Sequence, residues 1–232
     1  MLRRRFDEVV EYGSTLPPMD SPTPRTEVRR FPELARYDRE VINAILDEAL
    51  FCHVGFIHED RPVVIPTIHV RVGDRVFLHG SPAGRMMRAV GGGAEVSIAV
   101  TLLDGLVLAR SVFHHSMNYR SVVLFGRGEV VDDPGEKLEA MRVFAEKILP
   151  GRWNDARQPT RNEFQSTLMA VVPIDIVSAK IRTGPPLDDD KDAALKVWAG
   201  VIPYRLAPGE PIPAPDLREG TEFPAYLEHM FD

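Results

Sequence analysis

Three runs decide the fold: Phe51-Cys52-His53-Val54-Gly55-Phe56-Ile57-His58, then Pro62-Val63-Val64-Ile65-Pro66-Thr67-Ile68-His69-Val70, then Arg75-Val76-Phe77-Leu78-His79. Glu59-Asp60-Arg61 separates the first two and Val72-Gly73-Asp74 the last two. Short β-rich runs closed by turn residues form two successive hairpins, and hairpins pair antiparallel. Pro66 lies inside the middle run. Proline has no N–H to give to a ladder, so this strand is at an edge or opens a gap at Pro66. In such a gap the backbone of Thr67, Ile68 and His69 is free to meet a planar polar ligand. A simple edge strand or bulge is the plainer reading of the same proline.

Outward from these hairpins the period changes. On the N-terminal side, Asp38 stands as a helix N-cap before Val41, Ile42, Ile45, Leu46, Ala49 and Leu50, which recur at helical spacing. On the C-terminal side, Gly80-Ser81-Pro82 opens a short helix with Ser81 as N-cap and Pro82 at the first helical position. That helix runs through Arg85 and Arg88 to Gly91-Gly92-Gly93. Strands follow at Ala94–Leu103, Val107–Phe113 and Tyr119–Val131. Pro134 starts a helix through Lys147, and a shorter helix near Thr160–Ser166 leads into a last strand, Leu168–Ile181. The succession predicts a mainly β protein, a small antiparallel barrel with appended α-helices.

The chain has 232 residues, 44% hydrophobic and 27% charged, which is ordinary globular composition. Its 20 prolines crowd the two ends. Pro-rich ends read as arms, so the expected division is an extended N-terminal arm at 1–36, a compact domain at 37–182, and a Pro-rich C-terminal arm at 183–232 packing on the body or a partner. A net charge of −6 sets the chain apart from dedicated nucleic-acid binders, which are usually basic. The single cysteine, Cys52, excludes an intrachain disulfide and a Cys-rich zinc module. No run reaches the ~18 apolar residues of a membrane span. The basic Met1–Arg5 is followed by Phe6-Asp7-Glu8 and not by an apolar run, so no secretory signal is expected and the expected setting is the cytoplasm.

The best chemical signal is His79-Gly80-Ser81-Pro82-Ala83-Gly84-Arg85-Met86-Met87-Arg88, a strand end running into a helix. Unpaired helix N–H groups, a hydroxyl and an arginine suited to bidentate pairing make a phosphomonoester cradle. An ordinary helix start with solvated arginines is the bland alternative. The seven histidines show no metal-ligand spacing, so no metal is expected. Cys52 and His53 diverge on a strand and do not form a nucleophile pair. No G-x-S-x-G elbow, dinucleotide fingerprint or Walker loop is present.

Together the segments resemble the flavin-binding split-barrel family of pyridoxamine 5′-phosphate oxidase-like proteins, nearest the branch of nitroimidazole-resistance proteins. The matching pieces are Cys52–Phe56, Pro62–Thr67, Phe77–Ser81, Arg85 and Tyr119–Val123, within a region spanning Tyr37–Arg182. The resemblance implies a six-stranded antiparallel split β-barrel with Greek-key topology, and FMN bound at a homodimer interface. It places the flavin ring at Pro66, Thr67, Ile68 and His69. It places the phosphate at His79, Gly80, Ser81 and Arg85, with Arg88 replacing a lysine of the oxidase. Tyr119, Arg120 and Ser121 match a strand whose Gln reaches the flavin in the family, so they inherit a flavin role. Trp198 echoes a tryptophan of the oxidase's C-terminal region and is a candidate contact from the arm. His69 is the candidate for proton delivery near the ring, and a structural histidine on a strand carbonyl is its alternative. Ala207-Pro208-Gly209 stands where the oxidase has the His-Asp-Arg that holds its substrate, which argues against vitamin B6 itself. The implied function is an FMN-dependent oxidoreductase acting on a small organic molecule. The alternative is a non-catalytic flavin or haem binding protein, and a deazaflavin in place of FMN stays open.

Overall fold

Asp38 caps the first long helix as its sequence requires: its side chain accepts from the N–H of Val41. Helix α1 (Arg39–Glu48) then buries Ile42, Ile45 and Leu46 on one face. The structure, a computed structural model, describes residues 22–231, so residues 1–21 of the expected N-terminal arm lie outside the described residues.

Among the described residues, ten strands form one antiparallel sheet. They are β1 (Ala35–Arg36), β2 (Phe51–His58), β3 (Arg61–Val72), β4 (Arg75–Gly80), β5 (Glu95–Leu108), β6 (Ser116–Arg127), β7 (Glu129–Val130), β8 (Leu168–Pro173), β9 (Ile176–Arg182) and β10 (Gly200–Pro203). The order across the sheet is β1-β9-β6-β5-β2-β3-β4-β8-β7, with β10 paired to β5. The sheet curls around one apolar core, to which β2, β4, β5, β6, β8 and β9 all contribute. The split-barrel class expected from the sequence holds, with ten strands in place of six.

The strand boundaries have specific origins. Glu59 and Asp60 both adopt positive φ, 50° and 56°, the left-handed pair that matches the twist of a two-residue hairpin between β2 and β3. The strand expected at Ala94–Leu103 continues as β5 through a bulge between Leu103 and Gly105 to Leu108, and the rest of the run expected as a strand at Val107–Phe113 is loop leading into a single 3-10 turn at Val112–His114. The strand expected at Leu168–Ile181 is two strands. β8 pairs with β4, and β9 pairs with β6, so the chain crosses between distant parts of the sheet within Ile174-Asp175. The Ile174 N–H donates to the Asp74 carbonyl at 2.9 Å and holds this corner on the β3–β4 turn.

Helix α2 (Arg85–Gly91) buries Met86, Met87 and Val90. Helix α3 (Pro134–Ile148) begins with Asp133 as cap and Pro at its start, and covers a second, smaller apolar cluster of Val70, Phe77, Phe144, Met169 and Val171. Two short helices follow, α4 (Arg152–Asp155) and α5 (Arg161–Ser166). The second has a full capping box between Thr160 and Glu163. No helix among the described residues is long and apolar enough to cross a membrane.

Candidate functional site

β3 changes partner along its length and is paired only in part on each side. β2 covers Arg61–Ile68, whereas β4 covers only His69–Val72. On the β4 side, the edge from Ile68 back through Thr67 and Pro66 has no strand. Continuing the His69–Leu78 register would put Thr67 opposite Gly80, where β4 ends and the chain turns toward α2. The barrel opens here, at the proline that cannot join a ladder.

The cradle at the end of β4 differs from its expected form. The helix starts at Arg85, three residues after Pro82, with Gly84 at the N-cap and no side-chain cap. Ser81 instead closes a tight turn: its hydroxyl accepts from the Ala83 N–H at 3.3 Å, and its carbonyl accepts from the Gly84 N–H at 2.9 Å. Local hydrogen bonding by a serine side chain competes with helix extension, which delays the first helical turn. Gly80 has a packing reason, since a Cβ there would stand 2.9 Å from Cγ of Met87. With Met86 and Met87 buried, Arg85 and Arg88 are exposed, and neither has a hydrogen-bond or ion-pair partner among the described residues.

The other expected site residues have surroundings of their own. His69 is fully buried, with Nε2 3.0 Å from the Leu46 carbonyl oxygen. Burial first, then the Lys147 charge, lower its pKa to about 4. A buried, neutral imidazole held on a carbonyl matches the structural alternative to proton delivery. The carbonyl belongs to the end of α1 and not to a strand. His79 stacks edge-on against Phe144 of α3 at 4.4 Å, and burial lowers its pKa. Its ring belongs to the α3 layer. Arg120 is gripped by two carboxylates: it pairs with Glu48 at the end of α1 and, at 2.8 Å and 3.0 Å, with Asp104 in the β5 bulge. These bonds raise its pKa and leave it tied to the barrel end. Ser121 donates to the Lys180 carbonyl across to β9 at 3.2 Å. Tyr119 and Ser121 face away from Arg120 because successive strand residues alternate. Trp198 is exposed and folds over its own Gly200, where a Cβ would stand 3.0 Å from the ring.

Pro66, Thr67 and Ile68 therefore lie on the open edge of β3, and Gly80, Ser81, Arg85 and Arg88 follow one another from the end of β4 into α2. Sequence reasoning missed Lys147. Its Nζ donates to the Leu46 carbonyl at 3.0 Å, and burial lowers its pKa to about 8. A lysine in the last turn of an amphipathic helix carries no local signal of burial. It also missed His53, which is exposed directly across from Pro66 and edge-on to Phe51 at 5.7 Å. No cluster of three or more His, Cys, Asp or Glu side chains suited to a metal ion occurs among the described residues.

The curled, opened antiparallel sheet defines a split-barrel protein. The chain belongs to the pyridoxamine 5′-phosphate oxidase family, whose profile matches residues 38–182. Its structure is similar to that of the flavocytochrome Anf3 from Azotobacter vinelandii, 42% identical, with the match covering 90% of this chain and 97% of that one at a TM-score of 0.84. It is also similar to the FAD and heme binding protein from Mycobacterium smegmatis, 36% identical over 85% of this chain and 97% of that one, TM-score 0.81. A protein from Bacteroides thetaiotaomicron, described as a 5-nitroimidazole antibiotic resistance protein, is 24% identical over 63% of this chain and 86% of that one, TM-score 0.52, a likeness of fold alone. No curated protein matches the chain.

Proposed function

We propose that this chain is a redox protein that carries a flavin along the open edge of β3 and a haem beside it. The observation that carries the reading is the opening itself. The unpaired strand edge at Pro66–Ile68 lies beside the end of β4, from which the chain turns through Gly80 and Gly84 into a helix with two exposed arginines that have no partner among the described residues. An edge of free N–H and C=O groups matches the polar rim of an isoalloxazine, and Arg85 and Arg88 match its phosphate end. Bound there, the flavin supplies hydride and single-electron chemistry, and a haem exchanges single electrons. The chain's own part is to orient the ring through the Thr67 and Ile68 backbone and to neutralise the phosphate charge.

Haem enters the proposal through the two relatives that span most of the chain, a flavocytochrome and an FAD and heme binding protein. A haem iron would need a donor side chain from the protein. His53, exposed across from Pro66 and flanked by Phe51, is the imidazole that would serve. FMN is the flavin expected from the short cradle with its single pair of arginines. FAD is the second reading, favoured by the relative named for it.

An absorbance spectrum of the purified protein, followed by mass spectrometry of the released groups, tests the proposal. Flavin bands together with a Soret band are expected, and the His53→Ala variant should keep the flavin and lose the Soret band. A colourless protein that also fails to take up added flavin and haem would overturn the reading. Flavin without haem would leave the notion of a simple flavoprotein standing and remove the second cofactor.

A further inference from the structure

Between the first turns of α3 and the segment that enters α5 lies a cleft of about 430 Å³. That volume falls in the range of small-molecule sites. None of its lining residues belongs to β3, β4 or α2, so it is separate from the open edge described above. Most of the lining is apolar: Pro134 and Leu138 come from α3, and Pro159 and Phe164 from the entry to α5 and α5 itself. Leu138 is 45% exposed, whereas Ala140 and Phe144 of the same helix are buried against the barrel. An apolar pocket carrying a few polar groups at its rim is the usual form of a site for a small organic ligand.

The charges around the cleft decide the kind of ligand. Its acidic neighbours are already engaged. Glu163 takes Arg157 on both carboxylate oxygens and accepts from the Thr160 N–H at 2.7 Å. Asp133 accepts from the Glu136 N–H at 2.7 Å, and the Glu136 carboxylate pairs with Arg75 at 2.6 Å. Two basic neighbours are not so engaged. Arg161, in the lining, is exposed and has no hydrogen-bond or ion-pair partner among the described residues. Lys137 likewise has no ion-pair partner among them, and its ammonium lies 4.4 Å from the centroid of the Phe164 ring. Burial lowers its pKa, the mark of a cation that has lost water without gaining a carboxylate. Arg161 and Phe164 stand three residues apart on α5 and so share one face of it. Two cations thus border one aromatic ring, and the carboxylates nearby are held by other donors.

We infer that the α3–α5 cleft binds a small aromatic carboxylate, its ring among Pro134, Leu138, Pro159 and Phe164 and its carboxylate on Arg161 and Lys137. A guanidinium meets a carboxylate bidentately, and an ammonium over an aromatic face holds an anion at the ring edge. Side chains carry the recognition and the helix ends do not, because Asp133 caps α3 and the Thr160–Glu163 capping box closes α5. A small hydrophilic anion such as acetate would forgo the apolar lining, and a neutral aromatic would forgo both cations. The inference stands on the cleft and its charges and does not depend on a flavin being bound.

The test titrates 2-naphthoate into the full chain as purified and follows the backbone amide NMR shifts. A dissociation constant on the order of 0.1 mM is expected for a ligand of this size. The shifts should centre on Leu138, Thr160, Arg161 and Phe164. Arg161→Glu should weaken binding about 10-fold or more. Its circular dichroism should be unchanged, since Arg161 has no partner to lose. The neutral 2-naphthamide should bind the native chain about 10-fold more weakly than 2-naphthoate and lose nothing further in the Arg161→Glu variant. Acetate should produce no shifts in the cleft. No response at about 10 mM 2-naphthoate, shifts confined to residues outside the cleft, or unchanged affinity in the Arg161→Glu variant would each overturn the inference.

Discussion

The ammonium of Lys147 stands 3.5 Å from Nε2 of His69, and both groups meet the same carbonyl, that of Leu46, at 3.0 Å. A helix end, a barrel strand and the last turn of α3 are joined at one oxygen. Both titratable groups are held toward their neutral forms, and burial is the larger cause for each. Cys52 shares this environment, and burial pushes its thiol up to about 12.

The first prediction follows from the sign of these shifts. The folded-state pKa of His69, about 4, lies below its ordinary 6.5, so the unfolded chain binds more protons between those values. Stability should therefore fall as pH drops from about 6.5 to about 4, by about 3 kcal/mol from this residue. His69→Gln keeps a donor for the Leu46 carbonyl and should flatten this part of the curve. Urea melts across the window read it directly, and an unchanged acid limb in the variant would remove His69 as its cause.

The second prediction concerns Lys147. Its folded pKa of about 8 also lies below its ordinary 10.5, so stability should rise as pH climbs from about 8 toward 10.5. Lys147→Met should abolish that rise and lift the pKa of His69, because one positive charge beside the imidazole is gone. Histidine ring NMR shifts followed against pH give the second number. A His69 titration at the same pH in both proteins would contradict the electrostatic coupling.

The third prediction separates three arginines that the family resemblance assigns to the flavin alike. Arg85→Ala should weaken flavin binding by about 1.5–3 kcal/mol, roughly 10–150-fold, the worth of a charge-assisted phosphate contact. Arg88→Ala should cost less. Arg120→Ala should leave flavin affinity alone and lower stability by about 1 kcal/mol, because it leaves Glu48 and Asp104 facing each other unpaired at a partly exposed site. Fluorescence titration and urea melts on the same three variants distinguish these outcomes. A flavin defect in the Arg120 variant would return that residue to the binding site.

The fourth prediction uses the β2–β3 turn. Glu59 and Asp60 hold left-handed backbone at φ 50° and 56°, a conformation that Asn and Gly adopt at lower cost. Replacing the pair by Asn-Gly should stabilise the protein by about 1 kcal/mol, raising Tm by roughly 2–4 °C. A lowered Tm would mean that the native side chains make a compensating contact.

The sequence by itself determined what is encoded within a few residues. Asp38 caps α1, Asp133 and Pro134 start α3, and Thr160 with Glu163 starts α5, because a cap and its N–H lie three residues apart. The β2–β3–β4 hairpins follow from alternation and turns, and Pro66 marks the opening because a missing donor is a property of one residue. The tertiary structure alone decided what depends on residues far along the chain. Asp104 becomes a bulge only because β5 keeps pairing with β6 on both sides of it. The Leu168–Ile181 run breaks at Ile174-Asp175 because its two halves belong to different neighbours, β4 and β6. Arg120 meets Glu48 and Asp104, and Lys147 meets His69, across separations that no local pattern records. A charge looks the same in sequence whether it faces solvent, a carboxylate or a buried carbonyl, and packing is what distinguishes them.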